Sequence, residues 1–225
     1  MEIYSSIVGF FQTGGPFMYP IALVLTVGVV IALERWFFLT SARVSNKLAY
    51  DKMKPMLEGH KYDQLYTVAK QSSAPVSKII TAGMASMAYG RRRDDLMSAM
   101  REAAMETVPR LEKRTPYLAT LANVATLLGL LGTIIGLIAA FTAVADADPA
   151  TKATLLSQSI SVAMNTTAFG LISAIPMLLA HAVLQSKTSQ IVDSLDVVSV
   201  KFLNAICAKP DQKSAAPGGA QAAAA

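Results

Sequence analysis

Two uncharged stretches of the 225-residue chain carry side chains able to hold water or an ion. "LGLLGTIIG" (128–136) places Thr133 beside Gly129, Gly132 and Gly136. "SQSISVAMNTTAFGLIS" (157–173) contains Gln158, Ser159, Ser161, Asn165, Thr166, Thr167 and Ser173. Hydroxyls and amides donate and accept hydrogen bonds but do not titrate near neutral pH. They can hydrate a path or face a partner, yet they cannot carry a proton on their own. No Asp or Glu lies in 115–145 or in 153–186. A carboxylate that took part in ion movement would therefore have to come from another chain. Thr133, Ser159, Asn165, Thr166 and Thr167 are the candidates for lining such a path or facing such a partner.

Other chemistries find little support. His60 and His181 are far apart, Cys207 is the only cysteine, and no carboxylate cluster accompanies them. Neither a metal site nor a disulfide framework is expected. The chain offers no phosphate-binding loop and no nucleophile with an adjacent base, so no cofactor and no enzymatic activity are expected either.

The glycines have a structural role to play. Gly129, Gly132 and Gly136 are spaced three and four apart and share one helix face. Glycine is a poor helix former, but in a bilayer it lets a second backbone come close. Ser159, Ala163, Thr167, Gly170 and Ala174 make a matching small-residue stripe at intervals of four, four, three and four. The glycines read as the face of a close helix crossing, and the stripe as a face for a close neighbour or a thin wet path. That points to an oligomer whose second and third helices ring a central space holding a passage or a docked helix of another chain.

The elements that position them follow from composition. Hydrophobic residues make up 53% of the chain and charged residues 16%, whereas a soluble globule carries about a quarter charged. Charge is absent from 3–33, 115–145 and 153–186. Each gap is long enough to cross roughly 30 Å of hydrocarbon. The expected fold is an all-α membrane protein with a first transmembrane helix at 14–39, a second at 116–145 and a third at 155–184. A helical cytoplasmic domain fills 41–115, a periplasmic turn 146–154, and a cytoplasmic C-terminal helix 185–208. The low-complexity end, 209–225, reads as disordered.

Within 41–115 the pattern predicts helices interrupted at Pro55 and Gly59 and restarting at Pro75. A stronger helix follows, with Leu96, Met100, Ala103, Thr107 and Leu111 on one stripe. It tolerates Pro109 and could run on into the second membrane helix. The "RRR" at 91–93 reads as a solvated turn. Basic residues set the orientation. Residues 1–19 contain no Lys or Arg, whereas 35–114 contain fifteen against eight Asp or Glu. The N-terminus is then expected in the periplasm and the C-terminus in the cytoplasm. The basic character is explained by topology, and no nucleic acid partner is expected.

"GLLGTIIGLIAAF" (129–141) and "NTTAFGLISAIP" (165–176), in that order and with this layout, resemble the MotA/TolQ/ExbB proton-channel family of bacterial inner-membrane motor subunits. Three helices resemble its ExbB and TolQ branches. The resemblance implies a homopentamer around a dimer of a single-pass ExbD- or TolR-like subunit, whose membrane aspartate takes the proton. Work would reach the outer membrane through a TonB- or TolA-like protein, for biopolymer transport or envelope maintenance. It further implies that Thr133 and Thr167 match the family's second- and third-helix threonines and that Pro176 matches the proline bending the third helix. Many ExbB and TolQ members carry a glutamate five residues before that third-helix threonine, where this chain has Val162. The departure leaves a non-conducting structural or signalling oligomer as one alternative, and a Na⁺-coupled or self-contained channel as another.

Overall fold

The computed structural model describes residues 14–87, 92–145 and 147–207. Every regular element among them is helical, as the charge-free runs and the apolar spacing within 41–115 predict: α1 (Met18–Glu58), α2 (Tyr62–Gln71), α3 (Pro75–Ser86), α4 (Arg93–Glu112), α5 (Thr115–Ala145) and α6 (Lys152–Cys207). Three stretches, Met18–Glu58, Arg93–Ala145 (α4 and α5 together) and Lys152–Cys207, contain helix long and apolar enough to cross a membrane. The proposed low-complexity tail, 209–225, and Arg91 of the basic triplet lie outside the described residues.

The chain forms two compact units. The first joins residues 14–43 to Pro109–Ile191 and contains the apolar runs. Its centre is Met18, Ile21, Ala122, Ala125, Phe169, Ala174 and Met177. Alanines on α5 and α6 admit close neighbours, and methionines fill the irregular space that remains. Gly28 of α1 illustrates this: its bare Cα lies under the Met177 side chain. Large apolar side chains on the outer faces, among them Leu130, Ile138, Phe141 and Ile172, are exposed, as suits lipid or neighbouring chains.

The second unit comprises Val44–Val108 together with the end of α6. α3 opens with Pro75 in its first turn, where a missing amide hydrogen costs little. Asn46 of α1 takes the place of a local cap: its Oδ1 accepts from the Val76 amide at 3.0 Å. Gly83 leaves room for Met100, 2.7 Å from where a Cβ would stand, and for the Phe202 ring at 3.4 Å. The predicted stripe on α4 lies inward, with Leu96, Met100, Thr107 and Leu111 all buried.

Two helix ends differ from the sequence-based expectation. α1 does not stop at Pro55 but runs through it to Glu58. Proline removes one amide and crowds the preceding turn, and here Asp51, whose carbonyl is orphaned, is exposed, so water can satisfy it. The helix ends instead in a left-handed residue, His60 at φ 55. The Lys61 amide donates to Met56 O at 2.9 Å and the His60 amide to Leu57 O at 3.3 Å, the double bond of a Schellman closure. α4 also passes through its proline, Pro109, but does not run on into α5. It breaks at 113–114, with Arg114 at φ 70.

That corner is held from α1. Arg35 is buried, donates through a terminal nitrogen to Leu111 O and through Nε to Thr115 Oγ1 at 3.3 Å. It thus satisfies one of the orphan carbonyls at the end of α4. Its neighbour Glu34 receives a bond from Arg114 at 2.8 Å, and the Arg35 guanidinium lies 4.9 Å from the Phe38 ring centre. Replacing Arg35 by Met keeps the aliphatic bulk but deletes both bonds. The Arg35→Met protein is expected to lose about 1.5–3 kcal/mol of stability, read as a lower thermal midpoint in detergent. An unchanged midpoint would mean that the corner stands without the clasp.

Candidate functional site

The structure brings Thr133, Thr166 and Thr167 to the packed sides of α5 and α6 and Ser159 to a cavity beside Thr166, whereas Asn165 is turned away. α5 buries Leu118, Ala122, Ala125, Gly129, Gly132 and Ala140, a face of small residues with one leucine. At the crossing a Cβ on Gly129 would stand 3.3 Å from the Cα atoms of both Gly170 and Thr167. One on Gly170 would stand 2.9 Å from Ala125 O and 3.0 Å from the Gly129 Cα. These neighbours are backbone and cannot swing aside. Gly136 faces Ala163, whose Cβ is 3.0 Å from the missing one, and Gly132 faces the Thr166 methyl.

The hydroxyls are placed differently from one another. Thr167 is half-buried, and its Oγ1 donates across the crossing to Gly129 O at 2.8 Å. Thr133, one turn beyond Gly129 on the same edge of α5, donates back to Leu130 O at 2.6 Å. Each hydroxyl has spent its single proton inside the protein. What it can offer outward is lone pairs, so both threonines are acceptors for a cation, a water or an O–H donor.

Thr166 points into the bundle instead. It is 2% exposed, and its Oγ1 lies 2.6 Å from Gly14 O and 3.0 Å from Val162 O. The segment leading into α1 thus folds over α6, and Gly15 makes the turn at φ 73, a conformation glycine adopts without penalty. A small cavity beside this contact is lined by Gly132, Gly136, Ser159, Val162 and Thr166. Ser159 therefore neighbours Thr166. Asn165 is half-buried and sits two residues from Thr167, on nearly the opposite side of α6. Pro176 lies within α6, which is continuous through it, and it leaves the Ile172 carbonyl without its usual amide.

Val162 packs against the same N-terminal turn, its Cγ1 3.1 Å from where a Gly15 Cβ would be. A further cleft on this side is lined by Gly15, Thr154, Ser157, Gln158, Ser161 and Val162. Ser173 is fully buried and its Oγ has no hydrogen-bond partner. Among the described residues no three His, Cys, Asp or Glu are grouped to hold a metal ion.

Sequence reasoning missed the bond from Thr166 to Gly14 and the clasp made by Arg35. The pair Gly14–Gly15 ahead of Pro16 was a turn signal that could have suggested the first. It also passed over Asn123, an exposed amide in the middle of an otherwise greasy run of α5.

Comparison with known proteins adds independent information. The model of the MotA/TolQ/ExbB proton channel family matches residues 71–197. The chain is 28% identical to an ExbB homolog of the biopolymer transport proteins from Methanothermobacter thermautotrophicus, over 201 residues that are 88% of this chain and 70% of that one. It is 28% identical to the Tol-Pal system protein TolQ of Pseudomonas aeruginosa over 72% of this chain and 76% of that protein. A shorter match, 85 residues at 40% identity, links it to the TolQ of Haemophilus influenzae, covering 38% of this chain and 37% of that protein.

Close backbone approach at the crossing can be tested directly. Gly170→Ala forces two backbones apart and is expected to cost about 1–3 kcal/mol, measured by unfolding in mixed micelles. Gly28→Ala has only the flexible Met177 side chain to displace and should cost clearly less. Equal losses would mean that the crossing is not the tight point of the bundle.

Proposed function

The chain belongs to the MotA/TolQ/ExbB proton channel family, whose members are channel subunits rather than enzymes, and on that basis we propose that this multi-pass membrane protein is the ring subunit of a motor driven by the proton-motive force. The ring is a homopentamer in the bacterial inner membrane, crossing it at 14–39, 116–145 and 155–184. Its N-terminus is periplasmic and its C-terminus cytoplasmic, as the distribution of Lys and Arg supports. It surrounds a dimer of a single-pass ExbD- or TolR-like subunit. The work reaches the outer membrane through a TonB- or TolA-like protein and serves biopolymer transport or envelope maintenance.

The observation that carries this reading is the state of the two threonines. Thr133 and Thr167 donate internally at 2.6 Å and 2.8 Å and so present only acceptor oxygens. In 115–145 and 153–186, which contain no acid, such oxygens complement a group that arrives with a proton. A partner aspartate in its protonated form is that group: it would donate to either threonine, lose its proton on the other side of the membrane, and leave as a carboxylate that the same oxygens repel. Directional release of this kind turns a proton gradient into relative movement of ring and partner. The ion is H⁺ in this scheme, although acceptor oxygens can also coordinate Na⁺.

Val162 favours this division of labour. The position where many ExbB and TolQ proteins place a glutamate is here an isopropyl group packed on Gly15, so the titrating carboxylate falls to the partner alone. The same observation supports a second reading, a structural or signalling oligomer that conducts nothing.

Purification from native membranes in mild detergent, with mass spectrometry of what stays bound, separates the two. The motor reading expects a small single-pass protein with a membrane aspartate. It also expects Thr133→Val and Thr167→Val to abolish most coupled activity, with the ring intact. Wild-type activity in both variants, or a ring that holds no such partner, would reject it.

A further inference from the structure

Asn123 is exposed on α5 eight residues after the helix begins, and its amide meets no hydrogen-bond partner among the described residues. An unpaired amide facing hydrocarbon is costly, so its position needs a polar neighbour from outside the chain. At about 100° per residue, Asn123, Thr126 and Thr133 fall within an arc of about 80° on α5. Leu130 and Leu137 share the arc. It borders the buried glycine face on the side where Thr133 stands, whereas the far side carries exposed Val124, Leu131 and Ile135. Ten residues separate Asn123 from Thr133, about 15 Å along the helix, in the direction of the basic Arg114 corner.

We propose that Asn123 extends the ion path inward from Thr133, binding the water through which the proton leaves toward the cytoplasm. The inference rests on the reading of the chain as a channel-forming ring subunit. Its chemistry comes from the contrast with the neighbouring threonines. Thr126 donates to Ala122 O at 3.1 Å and Thr133 to Leu130 O, so both are acceptors only. On the facing edge of α6 the inward positions are apolar, Leu171 and Leu178. On this arc of α5, Asn123 is the group that can both donate and accept. A proton passing along water needs each water to reorient after the hop. A side chain that can hold water by its oxygen or by its hydrogen permits both orientations. The amide itself neither gains nor loses a proton.

The test uses the full complex in native membranes. With Cys207→Ser as background, Asn123→Cys is compared with Val124→Cys, which sits at the same depth but is turned by about 100°. A charged, water-soluble methanethiosulfonate reports access to water. Asn123→Cys is expected to react about tenfold faster or more. In vesicles, Asn123→Leu is expected to lower proton flux about tenfold, and Asn123→Ser to retain it, with the ring intact on native gels. Equal labelling of the two cysteine variants, or full flux in Asn123→Leu while Thr133→Val is dead, overturns the inference and leaves the motor reading standing. The amide would then face lipid or a second copy of this chain. Full flux in Thr133→Val as well would reject the motor reading, and the inference with it.

Discussion

Gly129 and Gly170 bring two helix backbones within van der Waals contact, and the rest of the membrane unit is arranged around that approach. Lipid tails are as apolar as leucine, so helices in a bilayer gain little from hiding greasy side chains and much from tight packing. Absent side chains at Gly129, Gly132, Gly136 and Gly170 supply that packing. The bond from Thr167 to the Gly129 carbonyl then fixes how far the two helices slide and rotate. The same contact decides which face of each helix is left at the edge of the crossing. Packing and chemistry are therefore one arrangement here: the residues that close the crossing also orient the hydroxyls beside it.

The polarity of those hydroxyls follows from local bonding. A threonine in a helix returns its proton to the preceding turn, as Thr26, Thr126, Thr142 and Thr188 also do. Most such bonds are of no functional interest. In 115–145 and 153–186, which lack any acid, internal donation leaves Thr133 and Thr167 with acceptor oxygens only. The proposed partner aspartate is the kind of group that such acceptors would face.

At the other end of α5, a charged side chain does the work of a cap. Arg35 reaches one of the last carbonyls of α4, Leu111 O, and the hydroxyl of Thr115, the first residue of α5, while Glu34 and Arg114 pair beside it. A guanidinium can serve two acceptors at once because its donors are held in a planar fork. The corner between α4 and α5 thus depends on α1, and Arg114 can hold its left-handed backbone there.

Much of this was legible in the amino-acid order. Charge-free runs long enough for a bilayer give the three apolar helices, and glycine spacing of three and four marks the face that α5 buries. Both signals survive because they depend on period and length, which belong to a single helix. Neighbouring Thr166 and Thr167 show where legibility ends. Helical spacing sets Thr167 apart from Thr166 on the small-residue stripe, but it does not say that one bonds Gly14 inside the bundle and the other Gly129 at the crossing. Pro55 and Asn123 teach the same lesson, the first a breaker that does not break, the second a polar residue that stays exposed. The sequence by itself determined which segments are helical, apolar and close-packing. Only the tertiary structure decided where each side chain points, because the rotation of a helix about its own axis is set by what packs against it.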